Sequence, residues 1–157
     1  MKRLNKMLLL ALSAMLMMAG CGGKAEAVDI LPGDAAAALV EQVDFQDSLQ
    51  EAAGDVAAQF YNLDDTITDF AIYISGSGAT AEEVAVLKVE KEADAAHAEE
   101  IIKERLGTLK DMFENYRPDE MVKIGDPVIE TRGNVVYFVC TSDTRGAKDA
   151  IAALYKA

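Results

Sequence analysis

The order of hydrophobic and polar residues predicts two pairs of adjacent β-strands. Residues 69–75 alternate between two faces and are followed by a Ser-Gly-Ser-Gly turn. Residues 84–90 form the next apolar run, and its closeness to the first predicts antiparallel pairing. Further on, residues 127–132 and 135–141 flank Gly133-Asn134, a dipeptide typical of a tight hairpin.

Apolar residues spaced three and four apart predict helices around these strands. The longest helix covers about Ala93 to Tyr116 and ends before Pro118. Shorter helices are predicted at 34–42, with Asp34 as its cap, at 55–61 and at 144–155. Residues 80–83 have the form of a helix capping box, although strand-like residues follow. The apolar stripe of the long helix consists of Ala95, Ala98, Ile102, Leu106, Leu109, Phe113 and Tyr116.

The element order from residue 34 to residue 157 is α-α-β-β-α-β-β-α, which predicts a single α+β domain with a four-stranded antiparallel sheet and packed helices. One sheet face should pack on helices through Phe70, Ile72, Ile74, Leu87, Ile129 and Phe138. The opposite face would carry Tyr73, Val84, Val86, Val135, Tyr137 and Val139. So large an apolar face must be covered, either by the N-terminal helices, which we favour, or by a protein partner. In the second case Tyr73 and Tyr137 would be the anchors for the partner.

The first twenty-one residues have the layout of a secretory signal. A basic start is followed by an apolar run from Met7 to Met18 and by small residues. The run is shorter than the roughly 20 residues that a permanent membrane helix needs. Met18-Ala19-Gly20-Cys21 resembles the lipobox of bacterial lipoproteins. The alternative is an ordinary secretory signal in which the cysteine stands by chance.

The lipobox resemblance implies cleavage before Cys21 and a diacylglycerol group on its sulfur. Residues 1–20 would be the signal peptide, and residues 21–33 the lipidated cysteine with a short linker. Because more than one acyl chain gives stable anchoring, the domain is predicted to lie at the extracytoplasmic face of the cell membrane.

The charge of the predicted mature chain argues against nucleic acid as a partner. The chain has a net charge of −12, and loss of the three basic residues of the signal leaves −15. Phosphate binding depends on clustered Lys and Arg, whereas no basic residue lies between Lys24 and Lys88. This acidic stretch could bind a cation or a basic partner, or it could serve solubility, which we favour.

Candidate chemical sites are few, and we predict no catalytic residue, no metal site and no cofactor. His97 is the only histidine, which excludes a zinc enzyme with two or three histidine ligands. Asp94 and Glu100 flank it, but a solvent-facing histidine between carboxylates is the simpler interpretation. Once Cys21 is lipidated, Cys140 has no partner for an internal disulfide, and its apolar run predicts a buried thiol.

Two further patterns resemble ligand-binding loops only weakly. The Gly76-Ser77-Gly78 turn lacks the Lys-Ser/Thr ending of a phosphate loop. The group Asp64, Asp65 and Asp69 lacks the spacing and glycine of a calcium loop.

Four segments resemble an uncharacterised family of bacterial lipoproteins, the domain of unknown function numbered four-three-five-eight. They are residues 70–75, 81–88, 113–118 and 133–139. The resemblance implies an extracytoplasmic lipoprotein, mostly of Gram-positive bacteria, and supplies no activity. The sequence therefore favours a non-catalytic binding or accessory module, and the alternative is an extracytoplasmic enzyme that uses carboxylates or Cys140.

Overall fold

The architecture was taken from a computed structural model that describes residues 29–156. The predicted signal peptide and the predicted lipidation site, Cys21, lie outside the described residues. The described part of the chain contains five α-helices and five β-strands. In chain order they are α1 (Pro32–Gln42), β1 (Leu49–Glu51), α2 (Gly54–Tyr61), β2 (Ile67–Ser75), β3 (Glu83–Val89), α3 (Ala95–Phe113), α4 (Met121–Gly125), β4 (Val128–Arg132), β5 (Val135–Cys140) and α5 (Thr144–Ala153).

The strands form one antiparallel sheet in the order β1-β2-β3-β5-β4. The predicted α+β class with an antiparallel sheet is confirmed, but the predicted number of four strands is wrong. The additional strand is β1, whose Leu49 and Glu51 pair with Ser75 and Tyr73 of β2. This strand has only three residues and no alternating pattern, so no local signal in the sequence predicts it. It forms because it pairs with β2.

The predicted hairpin between β4 and β5 is present. Arg132 pairs with Val135 across the two-residue connection Gly133-Asn134. Gly133 has a φ of 59°, a left-handed conformation that costs glycine no steric strain. The turn fixes the register that brings β5 beside β3 in the middle of the sheet.

One face of the sheet packs on α2 and α3 and forms the first core. The buried face of α3 follows the predicted stripe for most of its length, but the helix ends at Phe113 and Tyr116 is 67% exposed. Leu106 of the predicted stripe is partly buried against this core, and Arg105, which the pattern did not include, is buried there as well. The main members of this core are Ile72, Leu87, Ile102, Leu109, Phe113 and Phe138.

The opposite face forms a second core beneath α1 and α5. This face carries the residues predicted for it, including the fully buried Val84, Val86, Tyr137 and Val139. The chain itself covers it, as we favoured, but with one helix from each end of the domain. The predicted cover by both N-terminal helices is therefore only half right, because α2 packs on the other face.

One prediction at a helix start needs correction, and one short helix was not predicted. Helix α1 begins at Pro32 with Leu31 at the cap position, so Asp34 lies in its first turn and does not cap it. Proline suits this first position because its missing N–H has no partner there in any case. Helix α4 was not predicted, because it is a single short turn after the helical residues 118–120. None of the described helices has the length and apolar character needed to cross a bilayer.

Candidate ligand pocket and its buried charges

Glu82 and Glu83 stand side by side where β3 begins, and both are buried. Residues 80–83 have the form of a capping box, but the strand β3 follows them, as the apolar run after them predicted. Glu83 pairs instead with Ile74 of β2 and Cys140 of β5. Because β3 pairs with a strand on each side, its backbone N–H and C=O groups have hydrogen-bond partners in the sheet, and the capping-box pattern starts no helix.

Glu83 makes a bidentate ion pair with Arg105 of α3. The Nε and Nη2 atoms of Arg105 donate to the two carboxylate oxygens at 2.9 and 2.7 Å. The hydroxyl of Tyr61, at the end of α2, donates to the same carboxylate. Burial raises the pKa of Tyr61 well above its usual value, and the charge of Glu83 raises it further. The hydrogen bond from Tyr61 and the ion pair with Arg105 therefore join α2 and α3 to the sheet.

Lys123 is the centre of a second buried group on the other side of Glu82. Its Nζ donates to Gln46 Oε1 at 2.9 Å and lies 3.2 Å from Glu82 Oε1. It also lies 3.0 Å from Glu120 Oε2. The short helix α4 thus presents one cation to two buried carboxylates.

Backbone amides complete the bonding of these carboxylates. Glu82 accepts the N–H groups of Gln46 and Asp47 at 2.9 to 3.0 Å. Glu120 accepts the N–H group of Ala81 at 2.9 Å. Among the described residues, no buried side-chain polar atom lacks a hydrogen-bond partner. Each buried carboxylate therefore already has its partners, which is the condition for tolerating such charges away from water.

A pocket of about 200 Å³ opens beside the Glu83–Arg105 pair. Its walls are mostly apolar, and two of its residues, Phe60 and Met112, are 41% and 56% exposed at the surface. The guanidinium carbon of Arg105 lies 5.3 Å from the centre of the Phe60 ring. The pocket is lined by Phe60, Ile74, Ser75, Gly78, Thr80, Glu82, Glu83, Arg105, Leu109, Met112 and Phe113.

Cys140 and His97 occupy unlike environments. Cys140 is a free, fully buried thiol in the first core, as the sequence predicted. Burial, with a smaller effect of Glu83, raises its pKa to about 12. His97 is half exposed, and its Nε2 lies 2.7 Å from Asp64. Within the described part of the chain, no hydrogen bond joins the thiol to the imidazole.

The two weak loop motifs make local contacts. Ser77 of the Gly76-Ser77-Gly78 turn donates its N–H and its hydroxyl to Asp47. Hydrogen bonds from Ser75 and Ser77 lower the pKa of Asp47. Asp64 accepts the Thr66 amide as well as contacting His97. No group of three metal-binding side chains is found among residues 29–156.

The two tyrosines that were candidates for partner binding lie under or beside the helical cover. Tyr137 is fully buried, and its hydroxyl lies 2.7 Å from that of Tyr155. Tyr73 is half-buried at the edge of the second core. We proposed them as anchors for a partner only if this sheet face were open, whereas α1 and α5 cover the face in this structure.

Sequence analysis missed the buried ionic groups and the pocket. Glu82 and Glu83 fell within a capping-box pattern, and Arg105 was not among the residues predicted for the apolar stripe of α3. One available signal was that Arg105 falls at a three-residue spacing from Ile102 within the apolar stripe. Its partner, however, lies 22 residues away, so only the folded chain reveals the pair.

These features define a small α+β domain with a sheet covered on both faces and a pocket at one end of its first core. The chain belongs to the family described as domain of unknown function DUF4358, whose model matches residues 41–141. The match runs from the end of α1 through β5 and includes the pocket and both ionic groups. No curated protein and no solved structure gave a significant match.

Proposed function

We propose that this protein is a non-catalytic binding module held at the outer face of the cell membrane by lipid on Cys21. The observation that carries the binding role is the pocket beside Glu83 and Arg105, whose lining combines mostly apolar side chains with a few polar ones. Such a combination is usual in binding sites, where apolar walls give affinity and a few polar groups orient the ligand.

The state of the nearby reactive groups favours binding over catalysis. A general base needs an unengaged lone pair within reach of a substrate, and a nucleophile needs exposure. The carboxylates of Glu82 and Glu83 accept hydrogen bonds from cations, amides or a hydroxyl. Cys140 is buried and its pKa is raised to about 12. The competing proposal, an extracytoplasmic enzyme, requires one of these groups to become free.

The membrane anchor rests on the sequence Met18-Ala19-Gly20-Cys21. An acidic mature chain has no electrostatic attraction to anionic lipid headgroups, so the acyl chains would supply the attachment. A protein partner at the membrane also remains a proposal, although the second sheet face is covered in this structure.

Replacing Cys21 with serine tests the anchor. We expect Cys21→Ser to leave the membrane fraction and to appear in the medium or as unprocessed precursor. The matched control is Cys140→Ala, which removes the other cysteine of the chain and should stay with membranes. Retention of Cys21→Ser in washed membranes, as processed protein, would show that something other than lipid holds it.

Alkylation of Cys140 tests the non-catalytic role. In a Cys21→Ser chain Cys140 is the sole thiol, and raising its pKa from 9.0 to about 12 lowers its thiolate fraction at neutral pH roughly a thousandfold. We expect labelling by iodoacetamide to be slow until urea unfolds the chain. Labelling of the folded protein at the rate of an unhindered thiol would favour the enzyme.

A further inference from the structure

We propose that the pocket beside Arg105 binds a small, uncharged molecule that combines a branched apolar group with an amide or other carbonyl oxygen. The inference rests on the proposed binding function and specifies its ligand. Three observations carry it: a donor group without a protein acceptor on a residue that lines the pocket, the size of the pocket, and the balance of charges around it.

The free donor is the Nη1 group of Arg105. The pair with Glu83 uses only Nε and Nη2, which lie on one edge of the guanidinium group. Among the described residues, no atom accepts a hydrogen bond from Nη1. The side chain is only 8% exposed and lines the pocket, so a ligand oxygen placed there would be held largely out of water. Since no buried polar atom of the described residues lacks a partner, Nη1 is reached by solvent, and a ligand oxygen would take the place of water there.

The size and walls of the pocket set the apolar part of the ligand. About 200 Å³ is below the roughly 300 Å³ at which pockets for drug-sized ligands begin. The volume fits a group such as a leucine side chain with its adjoining amide. Phe60, Leu109, Met112 and Phe113 offer contact on several sides of such a group.

The charges around the pocket favour a neutral ligand. Three carboxylates, Glu82, Glu83 and Glu120, meet three cations, Arg105, Lys123 and Arg117, so the charges of this network balance; the Nη2 atom of Arg117 lies 3.8 Å from Glu120. An anion would add an uncompensated negative charge to this network within an already acidic protein. A cation would meet the guanidinium of Arg105, which lines the pocket. A neutral carbonyl oxygen accepts from Nη1 without either penalty.

The experiment compares three probes that share one apolar body and differ in charge. N-acetyl-leucinamide is neutral, N-acetyl-leucine is anionic at pH 7, and leucinamide is cationic. Each is titrated into the full-length Cys21→Ser protein, with the Met112 methyl group and the Arg105 Nε–H followed by NMR. We expect saturable shifts with N-acetyl-leucinamide at about millimolar affinity, as its size allows, and at least tenfold weaker binding of the two charged probes.

A matched pair of variants ties the shifts to the pocket. Met112→Glu places a charge at an exposed pocket residue and should weaken N-acetyl-leucinamide binding at least tenfold. Val122→Glu makes the same change at a residue outside the pocket that is 77% exposed, and binding should be unchanged. Arg105→Lys keeps a cation beside Glu83, removes the planar fork, and should reduce the preference for the neutral probe.

Each remaining outcome overturns the proposal. Equal or tighter binding of N-acetyl-leucine or leucinamide would show that the ligand class is wrong, while leaving a binding pocket. Absence of shifts with all three probes, or equal effects of Met112→Glu and Val122→Glu, would remove this pocket as the site. The thiol and membrane experiments would then decide separately whether the proposed function still holds.

Discussion

At the residue scale, Arg105 shows how a charged side chain can be part of a core. Its position on the buried face of α3 is one that an aliphatic residue would ordinarily fill. The carboxylate of Glu83 and the rings of Phe60 and Tyr61 surround its guanidinium group instead. Burying such a pair gains little over a well-packed apolar pair, but burying one charge alone is costly.

We therefore expect Arg105→Met to lower the free energy of unfolding by about 3 to 5 kcal/mol, because it leaves Glu83 buried without its cation. The double variant Arg105→Met with Glu83→Leu should recover most of that loss. Urea unfolding followed by circular dichroism measures both. A single variant that loses less than about 1 kcal/mol would mean that water reaches Glu83.

Asp47 provides a pH-dependent prediction at the same scale. Hydrogen bonds from Ser75 and Ser77 lower its pKa in the folded state, whereas an unfolded aspartate titrates near about 3.9. The stabilisation is therefore present above about pH 4 and is lost as the pH falls towards the lower folded pKa. We expect the difference in unfolding free energy between wild type and Asp47→Asn to shrink below about pH 4 in urea titrations.

The variant Ser77→Ala is the control for this prediction. It removes one hydroxyl donor to Asp47 and leaves the carboxylate in place. It should raise the folded pKa of Asp47 and show a smaller pH dependence than wild type. A difference between wild type and Asp47→Asn that is constant from pH 3 to pH 7 would contradict the proposed cause.

At the element scale, helix α1 is the main cover of the second core. It packs on β2, β3 and α5, and Leu39 is fully buried there. We expect Leu39→Ala to cost about 2 to 5 kcal/mol in urea unfolding, because it leaves a cavity over the sheet. Leu31→Ala, at an exposed residue beside the same helix, should change stability by no more than about 0.5 kcal/mol. Equal losses would mean that α1 is not packed as described.

The elements that sequence analysis predicted are those with a long or unmistakable local pattern. Alternation revealed β2, three-and-four spacing revealed α3, and Gly133-Asn134 revealed the last hairpin. The strand β1 and the helix α4 are too short for such a period, and each forms through contacts with distant residues. Leu49 pairs with Ser75, and Lys123 of α4 meets Glu82. Partners so far apart along the chain leave no local trace in the sequence.

At the scale of the whole molecule, the same limitation explains why the pocket was not foreseen. The sheet faces could be assigned from alternation alone, and the assignment is confirmed. The pocket depends on where the end of α2, the second half of α3 and the start of β3 meet. The angles between these elements follow from packing, which a pattern of apolar residues does not specify.

The uneven charge also has an effect at this scale. The predicted mature chain has a net charge of −15, so its acidic surface groups repel one another in the folded state. We expect the midpoint of urea unfolding to rise as NaCl increases from about 0.01 to 0.15 M, where the screening length falls from about 30 to 8 Å. The rise should shrink near pH 4, where carboxylates lose their charge. A midpoint that falls with salt would mean that exposed ion pairs outweigh the repulsion.

The cover of the second sheet face has a consequence for how this protein is made. One helix of that cover, α1, is synthesised before the sheet, and the other, α5, is synthesised after the last strand. A nascent chain that stops before Thr144 has all five strands but leaves Tyr137 and Val139 without the neighbours that α5 contributes. Chains truncated before Thr144 should therefore expose this apolar face and aggregate more readily than the full-length chain.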